Sequence, residues 1–278
     1  MNLKETFPTE VTTDIRKRNE RFFENMDPEN TLWKNSNKVM KPYIDYHREK
    51  QFRLMIKHLK PSKNDKVLVV GVGNGREIKI LLNFVNQIYG IDISRDNLSY
   101  CEKRFENRFI GSECNLEKDK ILFDSRFFDK IVCFNVLPYF SLRGLNNYFN
   151  ETSRIIKSHG KMLIKIRNKR FPLAKMVERQ LFLNRINDHR PIYFSNNLND
   201  YIKILDKCDF KIELSEGGDF FTDLNGINGN DIVSDIIIKI TRKLFHCGME
   251  RTLVRVMEFG GKTQYKYYYR HLYILLKK

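Results

Sequence analysis

Three glycines at alternating positions are the first residues of this chain whose type and spacing point to chemistry. Gly71, Gly73 and Gly75 follow the apolar run VLVV at residues 67–70 and precede a stretch with helical spacing of apolar residues. Glycine adopts positive φ angles and lets a ligand approach the backbone closely. A buried strand that ends in such a turn therefore predicts a loop whose backbone N–H groups face a bound ligand.

The spacing of the glycines narrows the class of ligand. Ile78 stands where a GxGxxG turn that starts at Gly73 would have its third glycine, which disfavours NAD and FAD. No GK[ST] motif follows, so the turn is not a P-loop. Asp92, 21 residues beyond Gly71, ends the next predicted strand. A carboxylate there can accept hydrogen bonds from both hydroxyls of a ribose, or it can be an acidic charge at a helix N-terminus. A nucleoside without a pyrophosphate fits both features.

The surrounding elements must place the turn at the edge of a sheet. From residue 66 onward, short β-branched runs alternate with helical stretches, which predicts an α/β fold with a parallel sheet covered by helices. Two segments do not follow this alternation of strands and helices, a helical N-terminal cap over 1–60 and an insertion over 216–262. We interpret both as lids on a domain that spans 61–278. The predicted strands are 66–71, 86–92, 108–113, 128–136, 161–166, 210–214 and 265–278.

Several motifs in a fixed order give the chain a family resemblance. VLVVGVGNG, IYGIDIS, FFDKIVCFNVLPYF and SRIIKSHGKMLIKI occur in the order and approximate spacing of class I S-adenosylmethionine-dependent methyltransferases, and YFSNNLNDYIKILDKCDFKIEL resembles the late segment of that family. The resemblance covers residues 40–215 and the last strand. It implies a Rossmann-like, seven-stranded, mostly parallel sheet with an antiparallel last strand.

The resemblance also implies S-adenosylmethionine as the cofactor. The glycine turn would line its methionine part, Asp92 would bind the ribose, and Ile93 would flank the adenine. Cys114 and Asn115 would contact the adenine, and Asn135 would face the sulfonium. The cofactor residues implied in this way are Gly71, Val72, Gly73, Asn74, Gly75, Asp92, Ile93, Cys114, Asn115 and Asn135.

Two positions depart from the family pattern. The residue two before the first glycine is usually acidic in the family, and here it is Val69. The turn before the fifth strand is usually proline-glycine-glycine, and here it is SHG at 158–160. The second change is expected to be structurally neutral. The first motivates an alternative function, a cofactor-binding but inactive partner subunit.

The motif NVLPYF at 135–140 bears on the acceptor. It lacks the NPPY-type pattern of methyltransferases that act on base nitrogens or glutamine, and it resembles the branch that acts on small molecules, lipids and sugars. An acceptor hydroxyl must lose a proton, and the candidate catalytic residues are His47, His189 and Tyr139. A structural or surface histidine and a tyrosine packed under the lid are the alternatives.

Basic and aromatic residues near the predicted sheet edge suggest an anionic ligand. Arg167 and Arg170 follow the fifth strand and either hold a phosphate or carboxylate of the acceptor or belong to a solvated loop. In the N-terminal helix, Tyr43 is a candidate substrate contact. Arg48 either meets the cofactor carboxylate or lies on a solvated helix face.

The net charge of +16 suggests phosphate-bearing partners, although the basic residues are dispersed as compositional drift would also produce. We predict a methyltransferase for an O or N atom of a small metabolite, with a lipid- or glycan-linked acceptor included. RNA is the alternative acceptor, but no RNA-binding motif is visible. The basic amphipathic stretch at 232–257 is expected to pack on its own domain or on a second subunit, with an anionic membrane surface as the alternative.

The apolar runs are too short to cross a bilayer, and the first residues lack a signal-peptide pattern. The five cysteines show no metal-ligand spacing, so no metal site is expected. These features predict a cytoplasmic protein, with peripheral contact at the inner membrane face as an option.

Overall fold

The computed structural model describes residues 9–25, 27–28, 41–167, 191–194, 196, 198–217 and 271–278. Within them, the strands are Val67–Val70 (β1), Ile88–Asp92 (β2), Phe109–Glu113 (β3), Phe128–Cys133 (β4), Ile156–Arg167 (β5), Lys211–Gly217 (β6) and His271–Lys277 (β7). The α-helices of the same residues are Thr9–Glu24 (α1), Lys41–Leu59 (α2), Arg76–Leu81 (α3), Arg95–Phe105 (α4), Leu142–Ile155 (α5) and Leu198–Lys207 (α6).

The seven strands form one sheet in the order β3-β2-β1-β4-β5-β7-β6. Strands β1 to β5 pair in parallel, and β7 runs antiparallel between β5 and β6. The predicted Rossmann-like sheet with an antiparallel last strand is confirmed. The strand order reverses between β1 and β4, and ligands of open α/β sheets bind beyond the carboxyl ends of strands at such a switch point.

The central strand β1 is apolar because both faces of the sheet are covered. Leu68 and Val70 belong to an apolar cluster that includes side chains of α5 and α6. Val67 and Val69 belong to the opposite cluster, with side chains of α2, α3 and α4. A strand that is buried on both faces has no position at which a polar side chain is solvated, which explains the unbroken VLVV run.

Helix α2 is part of this core, although it falls within the predicted N-terminal cap. Its Met55 and Leu59 side chains are 0% and 1% exposed in the cluster that contains Val69. Lys50 Nζ donates to the Gly217 carbonyl at 3.0 Å, so α2 is also fixed to the end of β6. None of the helices in the described residues is both long and apolar enough to span a membrane. The insertion lies outside the described residues from 218 onward.

Several strand boundaries differ from the predictions: β2 begins at Ile88, β6 extends to Gly217 into the predicted insertion, and the end of β4 and the start of β5 also differ. β4 ends at Cys133 instead of 136, because Asn135 has a φ of 62° and residues 137–139 form a 3-10 turn. β5 begins at Ile156, directly after α5, and its register against β4 shifts between Phe128 and Lys130. The SHG segment therefore lies inside an irregular strand, and the predicted turn before the fifth strand is wrong.

Candidate active site

The glycine turn follows the carboxyl end of β1, and its three glycines have φ angles of 73°, 47° and 75°. A Cβ on Gly71 would overlap the Val136 side chain, and a Cβ on Gly75 would lie 2.5 Å from the Phe105 ring. A Cβ on Gly73 would meet no atom within 4 Å. The outer two glycines therefore permit close packing of the turn, whereas Gly73 borders an open space that a ligand can enter.

The Asp92 carboxylate lies against this turn. Its Oδ2 accepts from the Gly73 N–H at 3.0 Å, and its Oδ1 accepts from the Ser94 N–H at 2.9 Å and from Asn97 Nδ2 at 3.3 Å. Burial raises the pKa of Asp92, and these hydrogen bonds act in the opposite direction. The carboxylate therefore joins β2, the turn and the start of α4. Asp92 thus accepts hydrogen bonds at the start of α4, as one of its two predicted roles required, and the contact with the ribose stays a prediction.

The loop after β3 carries a buried amide that contacts helix α1. Asn115 Nδ2 donates to Glu20 Oε1 of α1 at 3.0 Å, and Asn115 Oδ1 accepts from the Glu117 N–H at 3.1 Å. The Cys114 side chain instead packs in the apolar cluster on the α5 side of the sheet. Burial raises the pKa of its thiol to about 12. Of the two predicted adenine contacts, Cys114 thus lies in the apolar core, whereas the Asn115 side chain contacts α1. Ile93, directly after β2, is half-buried.

Helix α1 crosses the strand ends, and its side-chain contacts were not predicted. Asn19 Nδ2 donates to the Ile192 carbonyl at 2.8 Å, and Asn19 Oδ1 accepts from the Ile192 N–H at 2.7 Å. Ser94 Oγ also donates to the Glu24 carbonyl at 3.4 Å. The spacing of Ile15, Asn19 and Phe23 by four residues marks one face of α1, and that spacing was the available sequence signal.

Aromatic rings form a wall beside the end of β5. The ring centroids of Phe23 and Tyr139 are 4.7 Å apart, and those of Tyr139 and Tyr193 are 4.9 Å apart. The Arg167 guanidinium carbon lies 3.9 Å from the Tyr193 centroid, in cation–π geometry. The structure thus brings two predicted substrate residues, Tyr139 and Arg167, together through Tyr193. We call Phe23, Tyr139, Tyr193 and Arg167 the acceptor wall.

The predicted residues of α2 approach the turn from the other side. His47 is buried, four residues before the buried Gln51. Arg48 forms an ion pair with Asp45 at 3.3 Å. Burial and then the charge of Arg48 lower the pKa of Arg76, which directly follows Gly75.

Two further positions singled out in the sequence, Asn135 and Val69, lie within the described residues. Asn135 is exposed beyond β4, next to the Val136 side chain that packs on Gly71. Val69 is 2% exposed and pairs with Gly90 and Val132 inside the apolar cluster. His189, Arg170 and the side chain of Tyr43 lie outside the described residues.

Alanine substitutions at two glycines of the turn are expected to separate folding from ligand binding. Gly71→Ala adds both positive-φ strain and an overlap with Val136, and overpacking alone typically costs about 1–3 kcal/mol. Gly73→Ala adds the strain without an overlap, but its methyl group enters the open space. Thermal unfolding is expected to show the larger loss for Gly71→Ala. Titration with S-adenosylhomocysteine is expected to show weakened binding by a folded Gly73→Ala, and equal stability losses in the two variants would contradict this account.

Comparison with known proteins finds similarity to methyltransferases. Residues 68–164 match the family model described as a methyltransferase domain. A ubiquinone biosynthesis O-methyltransferase of Pelagibacter ubique is 24% identical over 135 residues, which cover 49% of this chain and 55% of that protein. An uncharacterized protein of Methanocaldococcus jannaschii is 27% identical over 220 residues, which cover 78% of this chain and 85% of that protein. The alignment with the first relative thus spans little more than half of that protein's length.

A solved structure shows the same fold at low sequence identity. It is the crystal structure of a geranyl diphosphate C-methyltransferase from Streptomyces coelicolor in complex with Mg²⁺, geranyl diphosphate and S-adenosylhomocysteine. Its TM-score is 0.58 at 12% identity, and the superposition covers 95% of this chain and 98% of that chain. At this identity, the likeness establishes the architecture and leaves the acceptor to be argued from the site.

Proposed function

We propose that this chain, which carries a methyltransferase domain of the class I S-adenosylmethionine-dependent family, methylates an oxygen or nitrogen atom of a small anionic acceptor. S-adenosylmethionine is the cofactor, and it supplies a methyl group bound to a positively charged sulfur. The observation that carries the acceptor class is the Arg167 guanidinium, which is stacked on Tyr193 at the carboxyl end of β5.

The residues around the glycine turn fit this cofactor. Gly73 leaves open space on the turn, and the buried Asp92 carboxylate is hydrogen-bonded to the backbone of that same residue. We assign the ribose hydroxyls to Asp92 and the adenine to the loop that carries Asn115. Ile93 supplies an apolar contact beside the adenine. Asn135 lies at the end of the neighbouring strand, on the side of the acceptor.

The protein contributes to methyl transfer mainly by alignment. Holding two reactants in line is worth up to roughly 7–11 kcal/mol of the barrier. In our proposal, the three rings of the acceptor wall exclude water from one side of the acceptor. Arg167, at 9% exposure, neutralises its anionic group, because a cation with few water contacts interacts strongly with a carboxylate or phosphate.

Proton removal is required only for an acceptor that loses its proton during transfer. Among the described residues, Tyr139 of the acceptor wall and His47 on the buried face of α2 are our candidates for that role. Tyr139 lies next to the rings that hold the acceptor. His47 approaches from the side of the glycine turn, so we assign it the proton only if the acceptor hydroxyl lies toward α2.

RNA is the alternative acceptor, and one surface favours it. Lys17, Arg18 and Arg21 line a cleft of about 600 Å³ along α1, together with Asp14 and Phe22. Three cations in one cleft suit a phosphate backbone. The acceptor wall lies on the other side of α1 and favours a small anion.

Transfer of a labelled methyl group into a cell extract tests the proposal. The chain is incubated with methyl-labelled S-adenosylmethionine and extract, which is then separated into small molecules, lipids, RNA and protein. We expect label among the small molecules or lipids. Label only in RNA would replace the acceptor class by the alternative. A chain that binds S-adenosylhomocysteine yet labels no fraction would be an inactive partner subunit, and the proposal would be wrong.

A further inference from the structure

A network of polar side chains, of which Gln51 and Tyr273 are buried and Glu77 and Lys165 are half-buried, connects four elements next to the glycine turn. Gln51 Nε2 of α2 donates to Glu77 Oε1 of α3 at 2.9 Å. Gln51 Oε1 accepts from Lys165 Nζ of β5 at 3.5 Å and from the Tyr273 hydroxyl of β7 at 3.4 Å. The Gln51 side chain therefore uses both of its polar atoms, and it holds the Glu77 carboxylate in one position.

Glu77 lies in the first turn of α3, two residues after Gly75. Burial and then the charge of Asp92 raise the pKa of the Cys101 thiol, and the charge of Glu77 contributes in the same direction. Cys101 Sγ itself lies 3.6 Å from the Gly73 carbonyl oxygen. The charges of Asp92 and Glu77 thus both raise the pKa of this thiol beside the turn. Asp92 is assigned above to the ribose, and the methyl-transfer account leaves Glu77 without a role.

A guanidinium accompanies this carboxylate. Arg76 precedes Glu77 in the chain, and its pKa is lowered by burial and by the charge of Arg48, whereas the charge of Glu77 raises it. A cation favours an anion beside it, and a carboxylate favours a cation. The amino-acid end of S-adenosylmethionine carries one group of each kind, an ammonium and a carboxylate.

We propose that Glu77, held by Gln51 beside the glycine turn, binds the ammonium group at the amino-acid end of the cofactor, and that Arg76, which directly follows Gly75, binds its carboxylate. This inference rests on the proposed function, because it assigns residues to the cofactor of that reaction. A carboxylate with little access to water is costly unless a positive charge or hydrogen bonds compensate it. Burial raises the pKa of Glu77 in the absence of ligand, while Arg76, Gln51 and Lys165 act against this shift. An ammonium group at this position completes the compensation.

The apolar residue at the end of β1 agrees with this assignment. Val69 lies within the apolar cluster and offers no polar atom to the turn. The Glu77 network lies on the same face of the sheet as Val69. Leu163 and Val69 belong to one apolar cluster, and Lys165 is two residues beyond Leu163 in β5, so its side chain lies on that face as well. In this chain, the carboxylate for the methionine end therefore comes from α3.

Two ligands separate the amino-acid end from the rest of the cofactor. S-adenosylhomocysteine carries the ammonium and carboxylate, whereas 5′-methylthioadenosine has the same adenine, ribose and thioether without them. We expect Glu77→Gln to weaken calorimetric binding of S-adenosylhomocysteine at least tenfold. Its affinity for 5′-methylthioadenosine is expected to stay within about twofold of the wild-type affinity. The control is Glu102→Gln, which removes a carboxylate paired with Arg95 on the surface of α4 and should change neither affinity.

Several results would overturn the inference. An equal loss for both ligands would make Glu77 a support for the turn, and an unchanged affinity for S-adenosylhomocysteine would remove it from the site. If Glu77→Gln does not fold, Glu77→Asp decides the same question, because it keeps the charge and retracts it by one methylene. A selective loss for S-adenosylhomocysteine is again the expected outcome. A wild-type chain that binds neither ligand would instead contradict the cofactor assignment itself.

Discussion

Replacing Asp92 by alanine is expected to weaken binding of S-adenosylhomocysteine at least about 100-fold. Hydrogen bonds to a charged group contribute about 1.5–3 kcal/mol each, and the ribose offers two hydroxyls to this carboxylate. The substitution also releases the Gly73 N–H and the Ser94 N–H, which loosens the turn on which the nucleoside lies. Unlike Glu77→Gln, Asp92→Ala is expected to weaken binding of 5′-methylthioadenosine as well, because that ligand keeps the ribose.

A carboxylate at the opposite end of the sheet provides a matched control. Asp129 accepts from the Lys66 N–H at 2.9 Å and from Lys157 Nζ at 2.7 Å, so Asp129→Ala also removes a backbone contact and a charge. Titration calorimetry is expected to show unchanged affinity for this variant, with folding of both variants checked by circular dichroism. If Asp92→Ala bound S-adenosylhomocysteine as tightly as the wild type, Asp92 would serve only the start of α4.

Replacing Arg167 by methionine is expected to lower methyl transfer about 10- to 100-fold, mainly through a higher KM for the acceptor. The change removes one charge-assisted contact, worth about 1.5–3 kcal/mol, while a long side chain remains against Tyr193. Arg167→Lys keeps the charge but loses the planar stack, so an intermediate rate is expected. The measurement is the steady-state rate with the labelled fraction of the extract as acceptor.

The affinity for S-adenosylhomocysteine distinguishes an acceptor role of Arg167 from a structural one. This affinity is expected to be unchanged in Arg167→Met, because the acceptor wall and the glycine turn lie at the ends of different strands. Arg95→Met is the control, since Arg95 pairs with Glu102 on the surface. Unchanged transfer by Arg167→Met, or a parallel loss of cofactor affinity, would show that Arg167 supports packing and does not contact the acceptor.

The features that were predicted correctly from the sequence are those encoded within short segments. The apolar run of β1 predicts a strand that is buried on both faces. The glycine turn predicts positive φ angles, which are confirmed at Gly71, Gly73 and Gly75. Arg167 was expected at the carboxyl end of the fifth strand because it follows the fifth apolar run, and it lies there, whereas its contact with the acceptor stays a prediction. These inferences need only local periodicity and the general topology of α/β sheets.

The features that were not predicted arise from contacts between distant segments. Asn19 meets Ile192 across 173 residues of sequence, and Gln51 meets Tyr273 across 222 residues. No local pattern encodes such pairs, so the position of α1 over the strand ends and the network around Glu77 emerged only from the structure. The early end of β4 has a local cause, the left-handed conformation of Asn135, but asparagine adopts this conformation too rarely for the sequence to predict it.

The central claim is that the glycine turn binds S-adenosylmethionine in preference to a dinucleotide. Titration calorimetry of the wild-type chain with S-adenosylhomocysteine and, separately, with NAD tests it most directly. We predict saturable binding of S-adenosylhomocysteine with one molecule per chain and no binding heat with NAD. The absence of binding heat with S-adenosylhomocysteine, or equally tight binding of NAD, would contradict the account.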